Sequence, residues 1–243
     1  MVVRRRRVTE HMDAPDADPA AQRRALAFIR RVNTLLGYNK ATADAARDFG
    51  GTTLLDVCCG SADFAAHTDS AYTGLDFHPT TLAVARAWQP AAPLVRGDAL
   101  ALPYGDDAFD VAVCQMSLHH FETADAGRVL AEMDRVSRLG WVAADLLRRR
   151  RASAWIWLMT ALASREVKDD ARVSVRQAFD LEEARELGGA LGATVRETFG
   201  HRFLLVKRHE ARPLWRPGRV GLRTRTAAKA ASPQSTSPRR LAP

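Results

Sequence analysis

The order of apolar runs and helix-like segments predicts an α/β domain with a doubly wound, mostly parallel sheet. Three observations carry this. Leu54, Leu55 and Val57 form a near-continuous apolar run, the pattern of a strand buried on both faces, broken only by Asp56 near its end. The run passes into the small residues Cys58-Cys59-Gly60-Ser61-Ala62 and then a helix start at Asp63. Small residues let the backbone turn sharply and approach a ligand without a Cβ in the way. Further apolar runs follow, with helical segments between them and acids at their ends, Asp76 after Tyr72–Leu75 and Asp145 after Trp141–Ala144.

Taken in order, residues 1–19 are basic, then acidic and proline-containing, and are expected to be poorly ordered. The run Arg4–Arg7 has no apolar stretch after it and does not read as a signal peptide. From Pro19, Ala25, Phe28, Ile29, Val32, Leu35 and Leu36 recur at helical spacing, giving an amphipathic helix that ends near Gly37. A second helix is expected over Thr42–Phe49. Residues 20–49 thus form an N-terminal helical cap before Gly50-Gly51 and the first strand.

The turn at Cys58–Asp63 has the character of a nucleotide site at the carboxyl end of a parallel strand. The dinucleotide fingerprint G-x-G-x-x-G does not fit, because its three positions hold Cys58, Gly60 and Asp63. The helix from Asp63 must be short, since the second strand, Tyr72–Phe77, begins soon after. Asp76 ends that strand, where a carboxylate can accept hydrogen bonds from both ribose hydroxyls. His78-Pro79-Thr80-Thr81 starts the next helix, with Pro near the first turn and Thr available as a cap. A third ligand position follows at Gly97-Asp98-Ala99. A fourth strand, Val111–Met116, leads to Ser117-Leu118-His119-His120-Phe121.

An acid two residues before the turn, followed by small-x-Gly-x-small-Asp, resembles the first motif of class I S-adenosylmethionine (SAM) methyltransferases. The run Leu55-Asp56-Val57-Cys58-Cys59-Gly60-Ser61-Ala62-Asp63 is especially similar to the quinone-biosynthesis C-methyltransferases of that superfamily, as is Gly74-Leu75-Asp76-Phe77-His78-Pro79. Ala62 departs from the pattern, since the family usually has Gly there. The resemblance covers roughly residues 50–207. It implies a Rossmann-like sheet of seven strands with a terminal antiparallel hairpin, Thr194–Phe199 and Phe203–Val206. It implies SAM as cofactor, bound by Asp56, Cys58, Gly60, Asp63, Asp76, Phe77, Asp98, Ala99 and Gln115. Asp98 would accept from the adenine amino group, and the Ala99 N–H would meet the ring.

Methyl transfer from a sulfonium needs no metal, and in-line positioning supplies most of the rate. A hydroxyl or activated carbon acceptor must lose a proton, and histidine suits neutral pH. His120 and His119 lie where the superfamily places residues facing the methyl group. Asp145, at the end of the fifth strand, could orient such a histidine. The segment Arg148–Arg151 followed by Ala152–Met159 reads as a lid with Trp155, Trp157 and Met159 as an adaptable apolar wall, as a shallow membrane contact, or as plain core packing. Residues 165–178 read as a loop over the site, with Arg172 and Arg176 as anchors for an acidic acceptor group. Asp180 and Glu183 mark a capped helix stopped by Gly192.

The chain has 243 residues, 47% of them hydrophobic and 26% charged, enough for one good-sized core. The net charge of +8 belongs to residues 211–243, which hold eight Arg or Lys and no acid. The rest is balanced, which argues against a nucleic-acid-binding face. That basic stretch is also rich in Pro and Ser and is expected to be a disordered tail. Cys58, Cys59 and Cys114 show no pairing or metal spacing, so a reducing, cytoplasmic location and no metal are expected. The sequence therefore points to a SAM-dependent methyltransferase of secondary metabolism. Its acceptor is expected to be a small apolar phenolic, quinonoid or polyketide-derived molecule, methylated on O or C. The rivals are nucleic-acid or protein methylation and a non-catalytic SAM-binding interaction protein.

Overall fold

The computed structural model describes residues 5, 18–161 and 163–210. Two helices open the chain, α1 (Pro19–Leu35) and α2 (Tyr38–Arg47). Asp18 caps α1, its carboxylate accepting from the N–H groups of Ala20 and Ala21, with Pro19 in the first turn. The second helix begins four residues before the expected Thr42. Gly37 takes φ 63° and turns the chain straight into it. Expectations for residues 1–4, 6–17 and 211–243 lie outside the described residues.

The strands follow as β1 (Thr53–Val57), β2 (Ala71–Asp76), β3 (Leu94–Arg96), β4 (Phe109–Gln115), β5 (Ser137–Leu146), β6 (Thr194–Thr198) and β7 (Arg202–Arg208). They form one sheet in the order β3-β2-β1-β4-β5-β7-β6. All neighbours are parallel except β7, which runs antiparallel to β5 and β6. The strand order reverses between β1 and β4, and the crevice outside their carboxyl ends is where such sheets hold ligands.

Alternate residues of the central strands serve opposite layers. Leu55, Val57, Ala112, Cys114 and Ala143 pack with α4 (Thr123–Val136) and α7 (Leu181–Gly189) through Val129, Leu130, Met133, Ala184 and Leu187. Leu54, Val111, Val113, Val142 and Ala144 pack with α2, Phe49 and α3 (Pro79–Trp88) through Ala43, Ala46, Leu82 and Ala85. Gly140 is required in β5: its φ is 134°, and a Cβ there would lie 2.0 Å from the Lys207 carbonyl oxygen.

Two helices, α5 (Arg150–Met159) and α6 (Arg165–Gln177), roof the carboxyl end of the sheet. The second corrects the expectation of a loop over 165–178. Ser164 caps it, accepting from the Val167 N–H, and Val167, Ala171 and Val175 recur four residues apart on its inward side. Arg172 and Arg176 are exposed on its outer side, and Arg172 pairs with Asp169 at 3.3 Å, so neither serves as an acceptor anchor. The capping box at Asp180 and Glu183 forms as expected at the start of α7.

Candidate functional site

Every element around the β1–β4 crevice contributes to a cavity of about 740 Å³. Its floor is the turn after β1. Cys58, Gly60 and Ala62 all adopt the left-handed conformation, with φ 57°, 55° and 57°. A Cβ on Gly60 would meet nothing within 4 Å, so the missing side chain keeps that wall open. Ala62 holds the same geometry with a methyl group, a strain on the order of 1–2 kcal/mol that its full burial helps to offset. The helix expected from Asp63 is a five-residue 3-10 turn, Asp63–His67. The Cys58–Asp63 loop, not a long helix dipole, therefore shapes this wall.

Four carboxylates face the cavity around the turn: Asp56, Asp63, Asp76 and Asp98. Asp76 braces the turn, accepting from the Gly60 N–H at 2.9 Å and the His78 N–H at 2.9 Å. Neither Thr80 nor Thr81 caps the next helix, whose N-cap is His78 without a side-chain cap bond. Asp56 is buried and accepts from the Tyr72 hydroxyl at 2.8 Å, while burial pushes its pKa up to about 7. Asp63 is also pushed up by burial, against the Ser61 hydroxyl at 2.8 Å and the Arg30 guanidinium at 3.4 Å. The Asp98 carboxylate accepts from the Leu100 N–H, and Ala99 and Phe77 complete this side. A hydrogen bond with Cys114 and then burial raise the Cys58 thiol pKa.

Across the cavity lies the turn after β4. His119 is buried, and its Nδ1 lies 2.6 Å from Asp145 Oδ1. Its backbone N–H donates to Asp145 Oδ2 at 2.8 Å, and the Leu146 N–H donates to Oδ1 at 2.6 Å. Asp145 is fully buried at the end of β5. Burial alone would raise its pKa, but the interactions with His119 and the backbone donors outweigh this and hold it below the ordinary carboxylate value. The His120 ring tilts over that of His119 with centroids 4.3 Å apart, and both line the cavity. The expected His/Asp pair is therefore present with His119 as its histidine, not His120. Gln115 joins the wall and donates to Asn39 of α2 at 3.4 Å.

The remaining wall is apolar. Phe28, Ile29 and Val32 of α1 and Leu36 just after it line the cavity with Trp155, Ile156 and Met159 of α5 and Val167 of α6. Residues 55–143 match the family described as Methyltransferase domain. Over these residues the chain is similar to SAM-dependent methyltransferases. Over 101 residues the chain is 40% identical to a demethylmenaquinone methyltransferase of Shouchella clausii, covering 37% of this chain and 42% of that protein. Another 31% identity over 110 residues links it to an uncharacterized methyltransferase of Synechocystis, covering 44% and 51%. The chain thus spans about half the length of the curated relatives it matches. In fold it is similar to human N-acetylserotonin methyltransferase, with TM-score 0.59, 14% identity, and coverage of 79% of this chain and 56% of that one.

The cavity fits SAM in its own chemistry. SAM carries a sulfonium and an ammonium, and the Asp56, Asp63, Asp76 and Asp98 side of the cavity is acidic. A carboxylate offers about four acceptor positions. Two backbone N–H groups hold the Asp76 carboxylate, which lines the cavity. The apolar roof completes the lining of the same cavity.

Three contributors were missed in the sequence. Arg5 reaches from the N-terminal segment to the turn after β4. It donates to the carbonyls of Gln177 at 2.6 Å, His119 at 3.3 Å and Phe121, and lies 3.9 Å over the Phe179 ring. Arg202 is fully buried on β7, 4.1 Å over the Tyr38 ring, and burial pulls its pKa down to about 10. Arg30 pairs with Asp63. Each acts across a long sequence separation, and a lone arginine in a helix or tail carries no local signal of it.

Proposed function

We propose that the protein methylates a small apolar acceptor, phenolic, quinonoid or polyketide-derived, on oxygen or carbon. SAM supplies the methyl group when bound, leaving as a neutral thioether. Asp76 holds the ribose, Asp98 and Ala99 the adenine, and the Cys58–Asp63 turn the methionine end, with Gln115 at the cavity wall between cofactor and acceptor. The acceptor sits under Trp155, Ile156 and Met159, with its nucleophilic atom toward His119. Asp145 fixes the His119 tautomer with hydrogen on Nδ1, so the lone pair is on Nε2. His119 takes the proton that the acceptor loses as its new bond to the methyl group forms, and Asp145 stabilises the resulting imidazolium. His120 stacks on His119 and bounds the space beside the methyl group.

The observation that carries this reading is the buried His119–Asp145 pair at 2.6 Å, whose histidine lines the same cavity as the four carboxylates and the apolar roof. Calorimetric titration with SAM and its demethylated product tests the first half. A screen of phenols, quinones and polyketides for a mass gain of one methylene unit tests the second. Micromolar binding of both cofactor forms, with turnover that His119→Gln lowers by about 10²-fold or more, is the expected result. Binding without turnover on any acceptor of these classes would replace it with the non-catalytic SAM-binding reading.

A further inference from the structure

The residues of α5 divide cleanly between two faces. Ala152, Trp155, Ile156 and Met159, at helical spacing of three and four, turn inward, and the last three line the cavity. Arg150, Ala154 and Trp157 share the opposite face at i, i+4 and i+7, with Arg151 and Leu158 beside them. This outer face is wet, yet Trp157 is 64% and Leu158 56% exposed. Large apolar side chains this exposed, next to one another on a helix, mark a contact surface.

The charges around it say what kind. Between Leu146 and Arg165 the chain has five basic and no acidic residues. Arg148 and Arg149 are spent within the fold, on Asp180 at 3.0 Å, Glu183 at 2.9 Å and Glu197 at 2.5 Å. Arg150 and Arg151 are exposed at the first turn of α5, and neither makes an ion pair among the described residues. A helix lying flat with Trp and Leu in the acyl boundary and arginines at the headgroups has this composition. A second copy of the chain would bring the same two unpaired arginines against their like, which disfavours self-association through this face.

We propose that the outer face of α5 seats the protein on an anionic lipid surface, with Trp157 and Leu158 inserted at the interface and Arg150 and Arg151 on headgroup phosphates. Docked this way, the roof of the cavity lies against the lipid. That an apolar acceptor enters from there rests on the proposed function, whereas the docking itself does not.

Co-sedimentation of the full chain with phosphatidylcholine vesicles, with and without 30% phosphatidylglycerol, tests it with no methyl transfer involved. Wild type should bind the anionic vesicles more tightly than the zwitterionic ones. The double variant Trp157→Ser/Leu158→Ser should bind anionic vesicles about tenfold or more weakly. Its charge is unchanged, so the basic stretch 211–243 contributes equally to both proteins. Both replaced side chains are exposed, so melting temperature and SAM affinity should stay at wild-type values. A separate Arg150→Gln/Arg151→Gln variant should lose the preference for anionic over zwitterionic vesicles in part. Equal binding by wild type and the Ser/Ser variant would overturn the proposal, as would failure of wild type to bind. Self-association in the absence of lipid that the Ser/Ser variant abolishes would assign the face to a second copy instead.

Discussion

Replacing Asp145 by Asn removes one charge with almost no change of shape, and the geometry fixes what that costs. Asp145 accepts three hydrogen bonds, from His119 Nδ1, the His119 N–H and the Leu146 N–H. In the better amide orientation, Oδ1 keeps the Nδ1 and Leu146 donors. The new NH2 group then faces the His119 N–H, leaving a buried donor unpaired at about 1–3 kcal/mol. Arg202 is fully buried as well, and Asp145 is among the charges that support its protonated form. Leaving such a cation uncompensated costs on the order of 3–5 kcal/mol when the partners are close. The two ranges sum to about 4–8 kcal/mol, and as Asp145 and Arg202 make no direct ion pair the lower end applies, a melting temperature lower by roughly 8–16 °C for a domain of this size.

The same substitution removes the charge that stabilises imidazolium. With His119 as the base, kcat should fall by about 10²–10⁴-fold while SAM affinity stays within about threefold, because Asp145 lies outside the acidic half. Scanning calorimetry, calorimetric titration and steady-state rates with the best acceptor from the screen read the three quantities. A well-folded Asp145→Asn protein with unchanged kcat would refute the base assignment. An unchanged melting temperature would refute both the orphaned His119 N–H and the support that Arg202 draws from Asp145.

Three further outcomes are expected. Asp76→Ala should weaken SAM binding about 10–100-fold in titration, since it removes a charged acceptor and orphans the Gly60 and His78 N–H groups; unchanged affinity would move the ribose elsewhere. Asp56 titrates near 7 when folded against an ordinary value of 3.8. The folded state therefore binds the extra proton between about pH 4 and pH 7, and stability from this group falls as pH rises through that window and levels off above it. A cationic ligand nearby favours the ionised form, so SAM binding at pH 7 should release up to about half a proton. Calorimetry in buffers of different ionisation enthalpy reads this, and Asp56→Asn should abolish it. Arg5→Ala should loosen the His119–Phe121 turn, lowering kcat several-fold with SAM affinity unchanged; a fall in SAM affinity of the same size would count against a role confined to that turn.

Much of this protein was legible along the chain, because its first half is built from local signals. Each parallel strand announces itself as an apolar run, and each ligand-side acid follows within a residue or two of a strand end. Asp56, Gly60, Asp76, Asp98 and Gln115 could therefore be placed before any coordinates, and they do share one cavity. Ala62 was readable as a departure, but not the left-handed backbone it holds.

Tertiary structure decided the rest, wherever the deciding contact joins residues far apart. Asp145 chooses His119 over His120 because the end of β5 lies beside the turn after β4, a pairing of adjacent residues that spacing cannot separate. The stretch 165–178 is rich in charge and carries few large apolar residues, and it becomes helical as its apolar side packs on α5 and the cavity. Trp155 and Trp157 look alike in sequence, yet the two-residue offset turns one into the cavity and the other to solvent. Arg5 and Arg202 acquire their places only when the N-terminal segment and β7 close on the core. Periodicity determines which faces are apolar, and packing determines what each face meets.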